Sequence, residues 1–488
     1  MIPLLTLLLI STALATAHPD AQEATVNSLI YGVPLPIFAA TAISWATSNH
    51  TSEWKANTLV HRTDLSTAED QIVVMPNVDT VYSFSVLDLS QGDVVAEMGY
   101  YEEGRFSSWS FYDMFSNNFD NCTLGTRYSD ATGKYRITHR YANPGCERTP
   151  DGEYAGTVYV PTVYGLSLVR HQVNSQSDLE YIIANIQPHY TLTEIPREDD
   201  SAPTAPPLTA ELLTEGIDSS DTALATMQLL ARFARTNPPE MASEADAIGA
   251  MLALAGVDMA NQTYATPSCV NLTLAQGTAA AAIAAVPDNS SDWIRPNADG
   301  AWVLPDPSFA GDFGAAYAER AVLCINGYLL MTSDQSMYPT YRAADPADEL
   351  SFLSNETYLV EFSGKPPVNA FWSLTMYDSD GFLVDSGDAL PEGRYSVNDR
   401  GNLTYPDGTL VYGDGADERD GTFYVLVQST DVAIAPEWES NWLPSPAGNQ
   451  SFSLTLRWYA PTDAFIDGSY VYPIITAVGA NPPILSSC

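Results

Sequence analysis

Two passages of this chain, one in each terminal third, read almost alike: Trp109-Ser110-Phe111-Tyr112-Asp113 and Trp372-Ser373-Leu374-Thr375-Met376-Tyr377-Asp378. Each is a strand-like run that ends in Tyr-Asp, with a polar turn next and Phe119 or Phe382 soon after. Strands closed by such turns recur when a chain carries related sheet units, so the repeat predicts two β-domains. Neither copy holds a nucleophile beside a base, a metal-ligand spacing or a phosphate loop. The repeat therefore bears on architecture before chemistry.

The rest of the chain supports that division. Short runs at Thr80 to Leu87, Ser107 to Tyr112, Lys134 to His139, Gly156 to Val160 and Gly165 to Val169, separated by turn residues, read as strands of an antiparallel sandwich or barrel. A helix over about Ala24 to Trp45 precedes them, broken by Pro34 and Pro36. Helical spacing follows at Ser177 to Ile186, Leu208 to Leu213, Asp221 to Arg235, Ser243 to Leu254, Leu274 to Ala285 and Gly314 to Leu330, with Ser177, Asp221 and Ser243 as expected N-caps. Alternation returns at Glu356 to Phe362, Ala370 to Tyr377, Gly421 to Gln428 and Phe452 to Tyr459. The polar, proline-rich Pro196 to Pro207 is the expected boundary. The predicted order is a β-domain over 18–195, a helical middle over 196–345 and a second β-domain over 346–488, mainly β with α.

The first seventeen residues carry no charged side chain, run apolar from Leu4 to Ile10 and end in Ala15-Thr16-Ala17, the small-x-small pattern of a signal-peptidase site. No Lys or Arg precedes the apolar core, which makes the leader atypical, and the core is too short for a membrane anchor. The expectation is a secreted protein, extracellular or attached to a cell wall, with no membrane span.

Sequons at Asn49, Asn261, Asn271, Asn289, Asn355, Asn402 and Asn449 predict glycosylated loops, while a further sequon at Asn121 is compromised by Cys122. Cys122 with Cys146 is the preferred disulfide because both flank one hairpin, and Cys269 with Cys324 is the second. The alternative for Cys324 is a free buried thiol, and Cys488 is left over. A net charge of −40, from 60 acidic against 20 basic residues, repels phosphates and anionic lipid and excludes nucleic acid as a partner.

Specific motifs now point to a family. Met75-Pro76-Asn77-Val78-Asp79-Thr80-Val81-Tyr82-Ser83, followed by Leu87-Asp88-Leu89, resembles the signature of domain of unknown function 1254. Pro366 to Asp378, with Asn441-Trp442-Leu443-Pro444 and Leu456-Arg457-Trp458-Tyr459, resembles its usual C-terminal companion, family 1214. The resemblance implies two jelly-roll-like antiparallel β-sandwiches joined by helices and an address in the envelope or outside the cell. It implies no activity. Met114 to Phe119 and the acidic stretch Gly413 to Gly421 depart from the family pattern.

The site residues follow from the same motifs. Asn77 and Asp79 stand at a strand start, where such residues commonly close an Asx-turn. Alternatively they line a cleft mouth with Tyr82, where an amide, a carboxylate and a phenol orient a polar ligand. Trp109, Tyr112 and Asp113 in one unit, with Trp372, Tyr377 and Asp378 in the other, offer the same choice between core packing and a ligand wall. Asp79, Tyr82, Asp113 and Tyr377 are the expected acids or bases, and Asn77, Trp109, Tyr112, Trp372, Asp378 and Arg457 the expected ligand contacts. Arg105, Arg127, Arg394 and Arg457 are the natural partners for buried carboxylates in so acidic a chain.

Six histidines form no zinc-binding set, no Gly-x-Ser-x-Gly occurs, and the acidic loop at Asp414, Asp417, Glu418 and Asp420 misses the calcium-loop spacing. No metal and no cofactor is expected. The leading reading is a protein that binds or transforms a small neutral organic or sugar-like molecule between its two β-domains. The competing readings are a non-catalytic binder of wall polysaccharide and a structural envelope component.

Overall fold

The structure is a computed structural model that describes residues 20–47, 54–69, 75–197, 202–289, 291–296, 301–341, 352–384, 394–416 and 418–479. The expected leader, Asn49, Asp417, Cys488 and the side chain of Asn289 lie outside the described residues.

Helices α1 (Ala21–Gly32) and α2 (Pro34–Ala46) open the fold, with Asp20 capping the first through the Glu23 amide. The expected break is slight, because Val33 keeps helical angles and Pro34 sits in the first turn of α2, where its missing N–H goes unnoticed. By length and composition Ala21–Ala46 could cross a membrane, yet half of its apolar window is buried within the fold.

Ten strands follow: β1 (Val60–His61), β2 (Thr80–Asp88), β3 (Asp93–Met98), β4 (Ser107–Asp113), β5 (Thr123–Gly125), β6 (Gly133–His139), β7 (Gly145–Glu147), β8 (Gly156–Val160), β9 (Tyr164–Gln172) and, after helix α3 (Gln176–Asn185), β10 (Thr191–Ile195). They form two five-stranded sheets, ordered β1-β2-β9-β4-β5 and β10-β3-β6-β8-β7. Their facing sides share one core of Val81, Trp109, Val169, Ile137 and Val158.

A helical layer comes next: α4 (Ala210–Thr214), α5 (Thr222–Phe233), α6 (Ala245–Leu254), α7 (Leu272–Asn289) and α8 (Tyr317–Asn326). Asp221 caps α5 as expected, whereas α3 is capped by Ser175 rather than Ser177 and α6 starts at Ala245 without a side-chain cap. The helices join α1 and α2 in burying the outer face of β2 and β9 through Phe84, Val86, Leu166 and Leu168.

Short strands β11 (Val257–Asp258), β12 (Thr263–Tyr264), β13 (Trp293–Ile294), β14 (Trp302–Pro305), β15 (Ser336–Met337) and β16 (Thr340–Tyr341) interrupt this region, and β13 to β16 join the C-terminal sheet. The remaining strands are β17 (Phe352–Leu353), β18 (Tyr358–Phe362), β19 (Trp372–Asp378), β20 (Ser396–Asn398), β21 (Phe423–Ser429), β22 (Trp442–Ser445), β23 (Ser451–Tyr459) and β24 (Ile474–Ala477). They build an eight-stranded sheet centred on β23 and β19 and a four-stranded sheet ordered β22-β21-β18-β24, with a shared core of Leu374, Leu456, Val360 and Val425. Pairing is antiparallel except for β6 with β8 and β21 with β22.

Cys122 and Cys146 are bridged. The second expected bridge is absent: Cys269 is exposed on a loop, Cys324 is buried on α8, and both are free thiols. Burial pushes the Cys324 thiol up to about 12, so it packs as a small apolar group.

Candidate functional site

Successive side chains on a strand point to opposite faces, and in β4 and β19 the two faces have different destinations. Trp109 is fully buried in the N-terminal sandwich core and Trp372 in the C-terminal one. The expectation that these indoles face a shared hollow is therefore corrected: the largest apolar surfaces go to the driest places, each inside its own sandwich. The opposite faces meet between the halves. Ser108, Ser110 and Tyr112 of β4 look one way, and Ser373, Thr375 and Tyr377 of β19 look back.

Several expected site residues gather in this layer. Asp79 is 2% exposed, accepts a hydrogen bond from the Ser373 hydroxyl at 2.6 Å and is ion-paired to Arg400. Asn77 closes the expected turn, its Oδ1 accepting from the amides of Asp79 and Thr80, while its Nδ2 donates to the Tyr459 hydroxyl. Tyr377 donates to the Pro76 carbonyl at 2.8 Å, and burial pushes its phenol up to about 12. Tyr112 donates to the Leu329 carbonyl at 2.9 Å. Tyr82 is half-buried and stands directly across from Arg170 on β9. Arg457 lies opposite Ser373 on β23 and donates to the Met75 carbonyl at 3.0 Å; Met75 turns that carbonyl from a left-handed conformation, φ 51°.

The two aspartates of the repeat lie elsewhere, which corrects their expected role at the site. Asp113 accepts from the Phe115 and Asn117 amides at 2.8 Å and from the Asn117 side chain at 2.7 Å, and burial pushes its carboxyl up to about 6. Asp378 accepts from the amides of Asp380 at 3.0 Å and Phe382 at 2.8 Å. Both close the turn that ends a strand, which accounts for the Tyr-Asp repeat without any ligand. Arg105 is ion-paired to Glu102 and Asp178, and Arg394 donates to the carbonyls of Glu439 and Trp442. Neither reaches the layer's carboxylates.

Three important members were not expected. Arg170 sits toward the C-terminal end of β9, 5% exposed, with weak bonds to Ser110 and Tyr112 and a 3.1 Å bond to the Leu329 carbonyl. Arg400 and Asp399 follow β20; Arg400 bridges Asp79 and Asp399 and lies 4.5 Å from the Phe371 ring centre. Burial, with Asp79 adding to it, pushes the Asp399 carboxyl up to about 7. An arginine inside an apolar strand was the one available signal, and Arg170 carried it.

A separate cavity of about 300 Å³ opens at the surface between the halves. Asn121 and Arg127 of the N-terminal half line it, with Asp312 and Asp334 of the connecting segment and Thr462, Asp463 and Ile466 of the C-terminal half. Arg127 donates through Nε to the Asp334 carbonyl at 3.0 Å. Burial and the neighbouring Asp312 push the Glu240 carboxyl well above the usual carboxylate range. Among the described residues no group of three or more His, Cys, Asp or Glu side chains is placed to hold a metal ion.

Residues 56–194 match a family described as a protein of unknown function (DUF1254), and residues 335–463 match a second, described as a protein of unknown function (DUF1214). No curated protein matches the chain. Among solved structures, the VPA0106 protein from Vibrio parahaemolyticus is similar over 94% of this chain and 100% of its own, with a TM-score of 0.59 and 17% identity, which shows a common fold. An uncharacterized protein from Burkholderia cenocepacia aligns over 94% of this chain and 95% of its own at 11% identity, with a TM-score of 0.41 too low to carry an argument.

Proposed function

For this chain, which belongs to the paired DUF1254 and DUF1214 families, we propose a secreted, glycosylated protein that binds a small uncharged, hydroxyl-rich molecule in the open cavity between its sandwiches. The supporting observation is the cavity itself, about 300 Å³, at a junction where both halves and the connecting segment supply side chains. Sites for small molecules favour such junctions and combine apolar walls with a few convergent polar groups. Pro307, Pro461 and Ile466 offer apolar surface to the C–H face of a sugar-like ring, and Thr462 and Asp463 offer partners to its hydroxyls. Asp312, Asp334 and Asp463 against the single Arg127 make the walls acidic, which disfavours a negatively charged ligand.

None of the nine tryptophans is exposed, which argues against a flat aromatic platform for wall polysaccharide. The leader-like N-terminus, the sequons and the Cys122–Cys146 disulfide support an address outside the reducing cytosol.

Titration calorimetry of the full chain tests the reading with glucose, N-acetylglucosamine and glucuronate. The two neutral sugars bind, glucuronate binds more weakly, and Asp463→Ala weakens the neutral sugars about tenfold through one lost hydrogen bond. Equal binding of glucuronate, or sugar binding indifferent to Asp463→Ala, overturns it.

A further inference from the structure

The buried layer between the halves has a feature the open cavity lacks. Arg170 and Arg457 are 5% and 3% exposed, and neither forms an ion pair among the described residues. Arg170, from the N-terminal half, lies 6.0 Å from the Tyr82 ring centre, and Arg457, from the C-terminal half, lies 5.4 Å from that of Tyr377, so each half brings a guanidinium to the faces that meet between them. Buried charges are ordinarily paired, because a low-dielectric interior does not replace the water a charge gives up. In a chain with 60 acidic residues, two buried arginines that form no ion pair among the described residues, Arg457 feeling Asp79 only at longer range, call for an explanation.

Their surroundings add a second observation. Nη1 of Arg457 has no hydrogen-bond partner. Neither do the hydroxyls of Thr375 and Thr455, directly opposed on β19 and β23, nor that of Ser336, opposed to Tyr459. All of these residues are buried, and the side chains belong to the sheet face that looks toward the N-terminal half. Buried polar groups in folded proteins are nearly always bonded, so unmet donors gathered on one face mark a place where another molecule supplies the acceptors.

The charges indicate which acceptors. Arg170, Arg400 and Arg457 bring three positive charges, against which stand Asp79, already engaged by Ser373 and Arg400, and Asp399. Water alone would meet the hydroxyls but leave the surplus positive charge uncompensated. An oxyanion meets both, and guanidinium with hydroxyl donors is the set that carboxylates and phosphates select. The aromatic wall chooses between these. Phe371 stacks on Tyr459 at 4.0 Å between ring centres, and Phe106 meets both rings edge-on, so the site has an apolar body beside its charged end. That pairing suits an organic acid with a flat apolar part better than a bare inorganic ion.

We infer that the layer between the sandwiches is a second ligand site, which takes the carboxylate of a small aromatic or similarly apolar acid between Arg170 and Arg457, with Thr375 and Thr455 as neutral donors. This site is distinct from the open cavity in residues, charge and ligand. Its ligand joins one arginine from each half, so occupancy braces the two sandwiches against each other.

Thermal unfolding of the full chain tests the inference with three probes at equal concentration: benzoate, its uncharged isostere benzamide, and inorganic phosphate. Benzoate raises the midpoint, benzamide raises it little, and phosphate less than benzoate. Arg457→Met abolishes the benzoate shift, measured against the ligand-free midpoint of the same variant, which also loses the bond to the Met75 carbonyl. Thr375→Val, a near-isosteric change that keeps the strand, reduces the shift and provides a readout if the arginine variant does not fold. Equal shifts from benzamide and benzoate, a shift from phosphate alone, a benzoate shift unchanged in both variants, or no shift from any probe overturns the proposal.

Discussion

Asp79, at the start of the N-terminal sandwich's longest buried pairing, accepts the hydroxyl proton of Ser373, in the tryptophan strand of the C-terminal sandwich, at 2.6 Å. The two residues are 294 positions apart, and their bond joins the polar face of one β-unit to that of the other. Arg400 adds an ion pair to the same carboxylate.

Asp79→Asn is therefore a stability mutation. The amide keeps the shape but leaves Arg400 with Asp399 as its one countercharge among the described residues, and breaking a buried ion pair costs about 3 kcal/mol. Urea unfolding measures the loss. Combined with Ser373→Ala, the double-mutant cycle gives a coupling of about 1 kcal/mol across the domain junction; additive losses would mean that the two side chains do not interact.

Asp399 gives a pH signature. Its carboxyl moves from 3.8 to about 7 in the folded protein, so the folded state holds the proton more tightly than the unfolded chain. The stabilisation from this proton is complete below pH 3.8 and is lost as pH rises toward 7. Relative to wild type, Asp399→Asn loses less stability across that window; parallel pH profiles for the two proteins contradict the assignment.

The cysteines separate by accessibility. A thiol-reactive maleimide labels Cys269 in the native protein and Cys324 only after unfolding. Cys122→Ser with Cys146→Ser opens a loop closed by residues 24 positions apart, at a cost of about 3 kcal/mol.

If the chain is glycosylated as proposed, occupancy follows exposure. Asn261, Asn271, Asn355, Asn402 and Asn449 are exposed. Asn121 is held by its amide against Asp334 at 2.9 Å and accepts from Thr332, so it is unavailable to the transferase once folded. Peptide mapping after endoglycosidase treatment finds modification at the exposed sequons and none at Asn121.

Much of the fold was legible because local rules decide it. β8 was read to the residue, and the strands around both tryptophans within a residue or two, since alternation and turn residues mark them. The direction of the tryptophans was not legible. Alternation reveals that a strand has two faces, but only the second sheet and the other half of the chain decide which face becomes a core. Trp109 and Trp372 took the dry side, leaving Ser, Thr, Tyr and Arg to meet between the halves. Tyr377 and Arg457 stood among the candidates because they lie in the motifs, whereas Arg400 reaches Asp79 across 321 positions from a loop with no pattern of its own. Cysteine spacing misled for the same reason: nothing in the sequence shows that α8 turns Cys324 inward.

The most direct test of the account is a crystal structure of the protein soaked with benzoate. The account predicts density for the acid between the halves, its carboxylate within hydrogen-bond reach of Arg457 Nη1 and the hydroxyls of Thr375 and Thr455. A layer closed on itself, with Arg457 Nη1 bonded to protein and benzoate bound elsewhere or not at all, would contradict it.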